Sequence, residues 1–290
     1  MSWRTVVVSN NAKLDYQLGY LVVRGRETTK IYLQEIGILL IESTAVSLTS
    51  YLLNELIKRK IKIIFCDEKR NPSSELLPYY GSHDTSIRLQ RQIEWTQEDK
   101  TTVWTKIVRE KIWQQAVLLE KLQKQEAELL KEYIQEVKEG DISNREGHAA
   151  KVYFHALFGK EFARTQEHPI NAALNYGYTI LLSYFNREIT ANGYVTQLGL
   201  FHENRFNPFN LGSDLMEPYR PLVDEVVYCL NPERFETEEK HKILKLCEKQ
   251  VMIAERKEFL DGAIKMYVRS VLEALNHKTF SQIKFYQNEL

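Results

Sequence analysis

The chain has no excess charge, few cysteines and no long hydrophobic run, and each absence narrows what kind of protein it can be. Its 290 residues include 39 basic and 39 acidic side chains, so a surface for a polyanion must come from local clustering. The 3 cysteines are far apart and form no Cys-x-x-Cys pair, which disfavours a disulfide framework and a thiolate zinc site. No window approaches the ~20 apolar residues of a membrane span, and no cleavable export signal opens the chain. We therefore expect a soluble, cytoplasmic protein with no membrane association.

A nucleotide-binding P-loop is also missing. Gly159 and Lys160 are followed by Glu161 instead of serine or threonine, and the upstream glycine of that motif is absent. The chemistry of this chain should therefore need no nucleotide fuel.

The character of the sequence changes near Asp84. Residues 1–70 contain short β-rich runs and one helical stretch, and residues 71–83 are rich in turn formers. In residues 84–290 the apolar residues recur at the spacing of an α-helix. The sequence predicts an α+β fold, with a small β-rich N-terminal domain, a linker over 71–83 and a larger all-α C-terminal domain. The predicted helices include a long one to about Glu139, stopped by Gly140, and others over Asn144–Phe158, Ile170–Ala191, Pro221–Leu230, Thr237–Ala254 and Phe259–Leu275.

Three side chains that are remote in the sequence suit one divalent-metal site, and Glu146 is the first. It stands at the start of a predicted helix, and Ala149 and Ala150 share its face, which leaves room beside the carboxylate for an ion and a phosphate. The alternative is an ordinary helix N-terminal acid that is favoured by the helix dipole.

His202 is the second candidate ligand. It follows an apolar stretch and precedes a loop rich in asparagine and phenylalanine, where a neutral imidazole can bind a metal while the loop adapts to a ligand. The alternative is a loop histidine with no role in the chemistry.

Glu217 is the third candidate, in a segment that also holds Asp214 and Arg220. The spacing places Asp214 and Glu217 on one face of a helical turn, and Pro218 and Pro221 argue against a long uninterrupted helix. Glu217 can bind a metal directly, and Asp214 can orient a ligand or bind a second ion. Arg220 can pair with a phosphate oxygen through its forked donors. An ordinary ion pair between Glu217 and Arg220 is the alternative.

Basic side chains that can follow a DNA backbone cluster locally despite the neutral total. Each is also explained as part of the solvated face of an amphipathic helix. The candidates are Arg88, Arg91, Lys106, Arg109, Lys111, Lys242, Lys245, Lys249, Lys265 and Arg269.

Four motifs follow one another along the helical part of the chain: Arg145–Phe154, Asn171–Tyr178, Gly199–His202 and Asp214–Pro221. In this order they resemble motifs of the CRISPR adaptation integrase, the endonuclease that inserts new spacers. Residues 9–15 and 61–67 are similar to its form in type II systems, so the resemblance spans nearly the whole chain.

The resemblance implies a β-rich domain that builds a homodimer and a helical domain that is catalytic. In that family the metal ligands are an acidic residue on a helix, a histidine, and an acidic residue of an Asp-x-x-Asp/Glu motif. These fall on Glu146, His202 and Glu217, with Asp214 and Arg220 as accessory residues. The resemblance also implies a small ferredoxin-like CRISPR adaptation partner protein, and substrates that are double-stranded DNA with 3′ overhangs and CRISPR repeat DNA.

The ligand types also fit this chemistry by themselves. Joining the 3′-hydroxyl ends of a short prespacer duplex to the repeat by transesterification needs an activated nucleophile and charge stabilisation at phosphorus, which Mg²⁺ or Mn²⁺ supplies. Two carboxylates and one imidazole leave positions for substrate oxygens, and the imidazole favours Mn²⁺. Two other functions remain open: a DNA-binding scaffold with a structural acidic cluster, and a metal-dependent nuclease that does not integrate.

Overall fold

Strands dominate residues 4–76 of the computed structural model and helices dominate the remainder, which confirms the predicted α+β class. The structure describes residues 4–78 and 82–287. Residues 79–81 of the predicted linker therefore lie outside the described residues. Within those that are described, no helix is both long enough and apolar enough to cross a bilayer.

The strands of residues 4–78 form two sheets. They are β1 (Arg4–Val8), β2 (Ala12–Gln17), β3 (Tyr20–Arg24), β4 (Thr28–Tyr32), β5 (Ile36–Ile41), β6 (Val46–Leu48), β7 (Lys62–Cys66) and β8 (Pro72–Leu76), and helix α1 (Ser50–Lys58) lies between β6 and β7. The first sheet has the order β1-β5-β7-β8, in which only β8 runs antiparallel to its neighbour. The second sheet has the order β4-β3-β2-β6.

The first sheet continues past the domain boundary predicted at residue 70. Its strand β8 begins at Pro72, in the stretch that was assigned to the linker because of its turn formers. Proline is tolerated there because it is the first residue of a strand at the edge of the sheet. The first part of the predicted linker therefore belongs to the N-terminal sheet.

Helices form most of the described chain beyond residue 84. They are α2 (Thr85–Glu94), α3 (Gln97–Lys121), α4 (Glu126–Glu136), α5 (Arg145–Phe158), α6 (Pro169–Ala191), α7 (Asn210–Met216), α8 (Arg220–Leu230), α9 (Thr237–Leu244) and α10 (Leu260–His277). Helix α3 is central, because it contacts α4, α5, α8, α10 and the short 3₁₀ turn Glu217–Tyr219. It therefore connects the segments that hold the predicted ligands.

Strand β5 is buried along its whole length because both faces of the first sheet are covered. Leu39 and Ile41 pack with apolar residues of the second sheet and α1, whereas Ile38 and Leu40 pack into the core of the helical region. Helix α6 contacts β7 and β8 on that second face, and Arg187 donates a hydrogen bond of 3.2 Å to the carbonyl of Gly37. One apolar core thus extends from the N-terminal sheet into the helices.

The long helix predicted to reach Glu139 is in fact two helices. Helix α3 ends at Lys121, and Gln123 has a left-handed backbone with φ of 55°, which a right-handed helix cannot contain. Helix α4 ends at Glu136, and Gly140 adopts φ of 66°. The glycine therefore reverses the chain close to the predicted stop, but the interruption at residues 122–125 was not predicted.

The region beyond residue 84 is mostly helical, and the prediction that it is all-α is wrong near its end. The strands β9 (Gln250–Ile253), β10 (Arg256–Phe259) and β11 (Tyr286–Gln287) form a sheet in the order β10-β9-β11. The predicted helix Thr237–Ala254 consequently ends at Leu244. Val251 and Ile253 are both buried, as expected of alternate residues in a strand with one covered face.

Glu110 is a half-buried acid of α3 whose ionisation should oppose folding. It accepts a hydrogen bond of 2.7 Å from Gln114, but burial outweighs that bond and raises the pKa of Glu110 from 4.5 to about 7. Because the pKa is higher in the folded state, the folded chain binds more protons between these two values. The free energy of unfolding that Glu110 contributes is therefore present below pH 4.5 and is lost as the pH rises to about 7.

We expect Glu110→Gln to remove this part of the pH dependence, since the amide keeps the acceptor oxygen for Gln114 and does not ionise. Above pH 7 the variant should have a free energy of unfolding ~2–3 kcal/mol higher than the wild type. Urea unfolding at a series of pH values measures the difference, and Glu98→Gln, an exposed position of the same helix, is the control. A constant difference between Glu110→Gln and wild type at every pH would contradict the prediction.

Candidate metal centre

The structure brings Glu146 and Glu217 to the same lysine. Glu146 lies in the first turn of α5, where the carboxylate of Asp141 accepts hydrogen bonds from the backbone N–H groups of Arg145 and Glu146 at 2.8 and 2.9 Å. Glu217 opens the 3₁₀ turn between α7 and α8, and Pro218 and Pro221, which follow it, agree with the predicted absence of a long uninterrupted helix. Lys111 Nζ lies 2.5 Å from Glu146 Oε1 and 2.5 Å from Glu217 Oε2. Two carboxylates that are far apart in the sequence thus converge on one positive charge.

Glu217 is buried between two cations, with 5% of its side chain exposed. Arg220 Nε lies 2.9 Å from Oε1, whereas Lys111 contacts Oε2. Burial alone would raise the pKa of Glu217, but the charges of Arg220 and Lys111 outweigh burial and lower it. The carboxylate therefore stays ionised at neutral pH. The ion pair with Arg220, offered above as the alternative interpretation, is present, and it leaves Oε2 for another cation.

Lys111 also keeps its charge in this cluster. Burial would lower the pKa of Lys111, but the carboxylates of Glu217 and Glu146 outweigh burial and raise it. Its side chain is only 10% exposed. A buried ammonium between two glutamates was not predicted, because Lys111 was assigned to the DNA-following surface.

His202 is held in one orientation by Asp214. The carboxylate of Asp214 pairs with His202 Nδ1 and accepts hydrogen bonds from the backbone N–H groups of Leu200, Phe201 and His202 at 2.6, 3.0 and 3.2 Å. Asp214 is fully buried in α7, and the hydrogen bond to it raises the pKa of His202. Asp214 thus orients the histidine, one of the two roles predicted for it, and leaves Nε2 as the ring nitrogen that can face a metal.

Packing fixes the backbone of the same loop. The ring of Phe201 stacks on Trp104 of α3 with centroids 4.5 Å apart and an interplanar angle of 2°, and the Trp104 ring meets His202 edge-on. A Cβ atom on Gly199 would lie 2.4 Å from the carbonyl oxygen of His202 and 2.8 Å from Asp214 Oδ2. Only glycine allows this loop to fold so closely over Asp214.

Arg220 packs against a tyrosine that belongs to a buried cluster of hydrogen-bonded side chains. The guanidinium lies 4.6 Å from the ring centre of Tyr178, and Tyr178 and Tyr153 both donate hydrogen bonds to the carboxylate of Asp224. Burial raises the pKa of Asp224 to about 6, against the effect of these two bonds. The arginine that contacts Glu217 therefore rests on a fixed aromatic surface.

The donor atoms fit the predicted ion, although they do not form a complete cage. Among residues 4–78 and 82–287, no three His, Cys, Asp or Glu side chains are grouped closely enough to hold a metal ion. Glu146 and Glu217 converge on Lys111. The hydrogen bond to Asp214 and the charges of Asp214, Glu217 and Glu146 raise the pKa of His202 against the effect of burial. Two carboxylates and an imidazole suit Mg²⁺ or Mn²⁺. The three-residue metal site stays a prediction.

The basic residues predicted to follow DNA fall into paired and exposed groups. Those with a contact inside the chain are Arg88 with Asp84, Arg109 with the carbonyl of Val137, Lys242 with Glu238, and Lys249 with Glu225. Arg91, Lys245, Lys265 and Arg269 are exposed and Lys106 is half-buried. Lys265 and Arg269 line one cavity together with three other basic residues, Arg59, Lys60 and Arg187, and with acidic neighbours. Contacts of these residues with DNA stay predictions.

The sequence matches the family model of the CRISPR associated protein Cas1 over residues 5–258, which includes every residue of the site just described. The chain belongs to the Cas1 family. It is 34% identical over 292 aligned residues to the CRISPR-associated endonuclease Cas1 of Neisseria meningitidis serogroup C, an alignment that covers 98% of this chain and 96% of the relative. The family resemblance stated from the motifs is thereby confirmed.

Solved structures show that the fold is that of Cas1. A casposase bound to integration product is similar with a TM-score of 0.77 and 19% identity, over 96% of this chain and 91% of that chain. A chain of a Cas6-RT-Cas1–Cas2 complex is similar with a TM-score of 0.75 and 18% identity, over 99% of this chain and 36% of that chain. Relatives of the Cas1 fold thus include chains within Cas1–Cas2 complexes.

Proposed function

We propose that this chain is a metal-dependent DNA integrase and endonuclease of CRISPR adaptation, in the form found in type II systems. The observation that carries the proposal is the convergence of Glu146 and Glu217 on one cation, together with a histidine that Asp214 orients. Membership of the Cas1 family and the endonuclease name of the Neisseria relative support it. The similarity of residues 9–15 and 61–67 to type II forms supports the subtype.

The proposed ligands and the residues that hold them have different tasks in this proposal. Glu146, His202 and Glu217 would hold Mg²⁺ or Mn²⁺, which when bound activates a 3′-hydroxyl and neutralises charge on the phosphate. Asp214 keeps the proton of His202 on Nδ1, so that Nε2 can act as a ligand. Arg220 holds Glu217 by Oε1 and keeps it ionised.

The reaction exchanges one phosphodiester for another. The 3′-hydroxyl oxygen of the prespacer forms a new bond to phosphorus, and the bond from that phosphorus to a 3′-oxygen of the repeat strand breaks, which leaves a new 3′-hydroxyl. The number of phosphodiesters is unchanged, which agrees with the missing P-loop. Hydrolysis by the same site would use water as the nucleophile instead.

We extend the proposal to the partners. The substrates would be a short DNA duplex with 3′ overhangs and the CRISPR repeat, and the chain would act as a homodimer with a small ferredoxin-like adaptation protein. The similarity to a chain found in a complex with Cas2 supports such a partner. The exposed basic residues on α10 and near the end of α9 would contact the DNA backbone.

Strand transfer into a plasmid tests the proposal. We expect a labelled duplex with 3′ overhangs to become joined to a repeat-bearing plasmid when the chain, its partner protein and Mn²⁺ are present, and no joining when a chelator replaces the metal. A duplex with 3′-dideoxy ends is the matched control, because it binds but cannot attack. Binding without any product would favour the scaffold, and cleavage without a joined branched product would favour a nuclease that does not integrate.

A further inference from the structure

Lys111 is the one residue at the centre whose role the proposed function leaves unexplained. It is a cation in a place where two ligand oxygens meet, and each oxygen lies 2.5 Å from its nitrogen. The two oxygens are consequently no more than twice that distance apart. Mg²⁺ binds oxygen ligands at about 2.0–2.1 Å. An ion bound to both oxygens would therefore lie in nearly the same place between them as the ammonium does. The ammonium and a divalent ion therefore cannot occupy this position together.

We propose that Lys111 is a built-in competitor of the divalent ion: its ammonium bridges Glu146 Oε1 and Glu217 Oε2, and the side chain must swing away before the ion can bind these oxygens. This inference rests on the proposed function only in taking Glu146 and Glu217 as ligands. The competition sets the affinity of the centre for the metal.

The arrangement around Glu217 allows such an exchange. Arg220 contacts Oε1 of the carboxylate and Lys111 contacts Oε2, so the lysine can leave without disturbing the arginine. The long, flexible lysine side chain has rotatable bonds that let its ammonium move, whereas the planar guanidinium of Arg220 is held against Tyr178. One cation is thus fixed and the other is free to exchange.

The bridge also has a structural benefit. Glu217 is almost fully buried and Glu146 is 23% exposed, and two such carboxylates would repel each other without a cation between them. Lys111 holds them together at the position where an ion is later needed. Its removal should therefore make the protein less stable without metal and more responsive to metal.

Mn²⁺ binding by Lys111→Met tests the competition, because methionine has a similar length and no charge. Electron paramagnetic resonance of free Mn²⁺, without DNA, measures the affinity. We expect the variant to bind Mn²⁺ at least about tenfold more tightly than the wild type, since a charge-assisted contact no longer competes. Its melting temperature should be lower without metal and should rise more on addition of Mn²⁺.

Lys100→Met is the matched control, because Lys100 lies on the same helix and is half-buried at its first turns. It should leave the Mn²⁺ affinity unchanged. Equal or weaker Mn²⁺ binding by a folded Lys111→Met would overturn the proposal, since the ammonium would then assist the ion or be irrelevant to it.

A second measurement uses the wild-type protein and so remains decisive if Lys111→Met does not fold. Acetylation by an amine-reactive ester, followed by peptide mass spectrometry, reports how accessible each lysine is. Lys111 should react slowly without metal and several-fold faster with Mn²⁺, whereas Lys100 should not change. An unchanged rate at Lys111 under saturating Mn²⁺ would show that it does not move.

These results separate this inference from the proposed function. If tighter Mn²⁺ binding and metal-dependent acetylation are seen but strand transfer never occurs, the integrase proposal fails and the competition stands. If strand transfer occurs but neither the affinity nor the acetylation changes, the integrase proposal stands and the competition is wrong.

Discussion

Glu217→Gln should lower the rate of strand transfer by at least about 10³-fold, because it removes the ionised carboxylate that we propose as a metal ligand. The amide keeps the shape of the side chain but leaves Lys111 and Arg220 facing a neutral group. Mn²⁺ binding should weaken together with the rate, whereas binding of the DNA duplex should persist. The plasmid-joining assay, Mn²⁺ titration and a gel-shift assay measure the three quantities.

Glu225→Gln is a closely matched control for this variant. Glu225 also pairs with two lysines, Lys121 at 3.0 Å and Lys249 at 2.5 Å, and 14% of its side chain is exposed. Glu225→Gln removes one negative charge, as Glu217→Gln does, but Glu225 lies outside the proposed centre. Strand transfer should therefore continue near the wild-type rate. Retention of full activity by Glu217→Gln would refute the proposed role of Glu217.

Asp214→Asn should weaken both the centre and the fold. The aspartate accepts hydrogen bonds from three backbone N–H groups and pairs with His202. An amide replaces one of its acceptor oxygens with a donor, so buried N–H groups lose their partner at a cost of ~2–4 kcal/mol in the free energy of unfolding. Loss of the orienting contact to His202, the proposed histidine ligand, should also lower Mn²⁺ affinity by about 10–100-fold.

A double-mutant cycle distinguishes orientation of His202 from a general loss of structure. His202→Ala alone should weaken Mn²⁺ binding, and adding Asp214→Asn should weaken it little further, because the residue that Asp214 orients is already gone. Urea unfolding shows whether each variant is folded under the conditions of the titration. Fully additive losses in Mn²⁺ affinity would mean that Asp214 does not act through His202.

The residue types around the candidate centre were predictable, but the contacts between them were not. Pro218 and Pro221 argued against a long uninterrupted helix, and the structure has a 3₁₀ turn there, whereas the close loop that requires Gly199 was not predicted. Lys111 lies seven residues after Trp104 on the buried side of α3, so its burial could have been predicted. Its partners could not, because they depend on how α3 packs against α5 and the Glu217 turn.

The errors in the predicted fold have local causes. The hairpin between β9 and β10 turns through Ala254 and Glu255, both left-handed with φ of 47° and 61°, and this pair lacks the asparagine and glycine that usually mark such a turn. The segment before it was therefore predicted to continue as a helix. Strand β8 was missed for the opposite reason, because its proline and serines are typical of a turn whereas pairing with β7 makes them a strand.

The shared core has a consequence for how the chain can be dissected. Ile38, Leu40 and Ile64 of the first sheet are buried against the helical region, and α6 contributes the opposing surface. A fragment that starts after residue 84 would expose the apolar side of α6 to water and would be prone to aggregate. Truncation is thus unsuited to testing the proposed homodimer apart from the proposed catalysis, and point substitutions are the way to change one without the other.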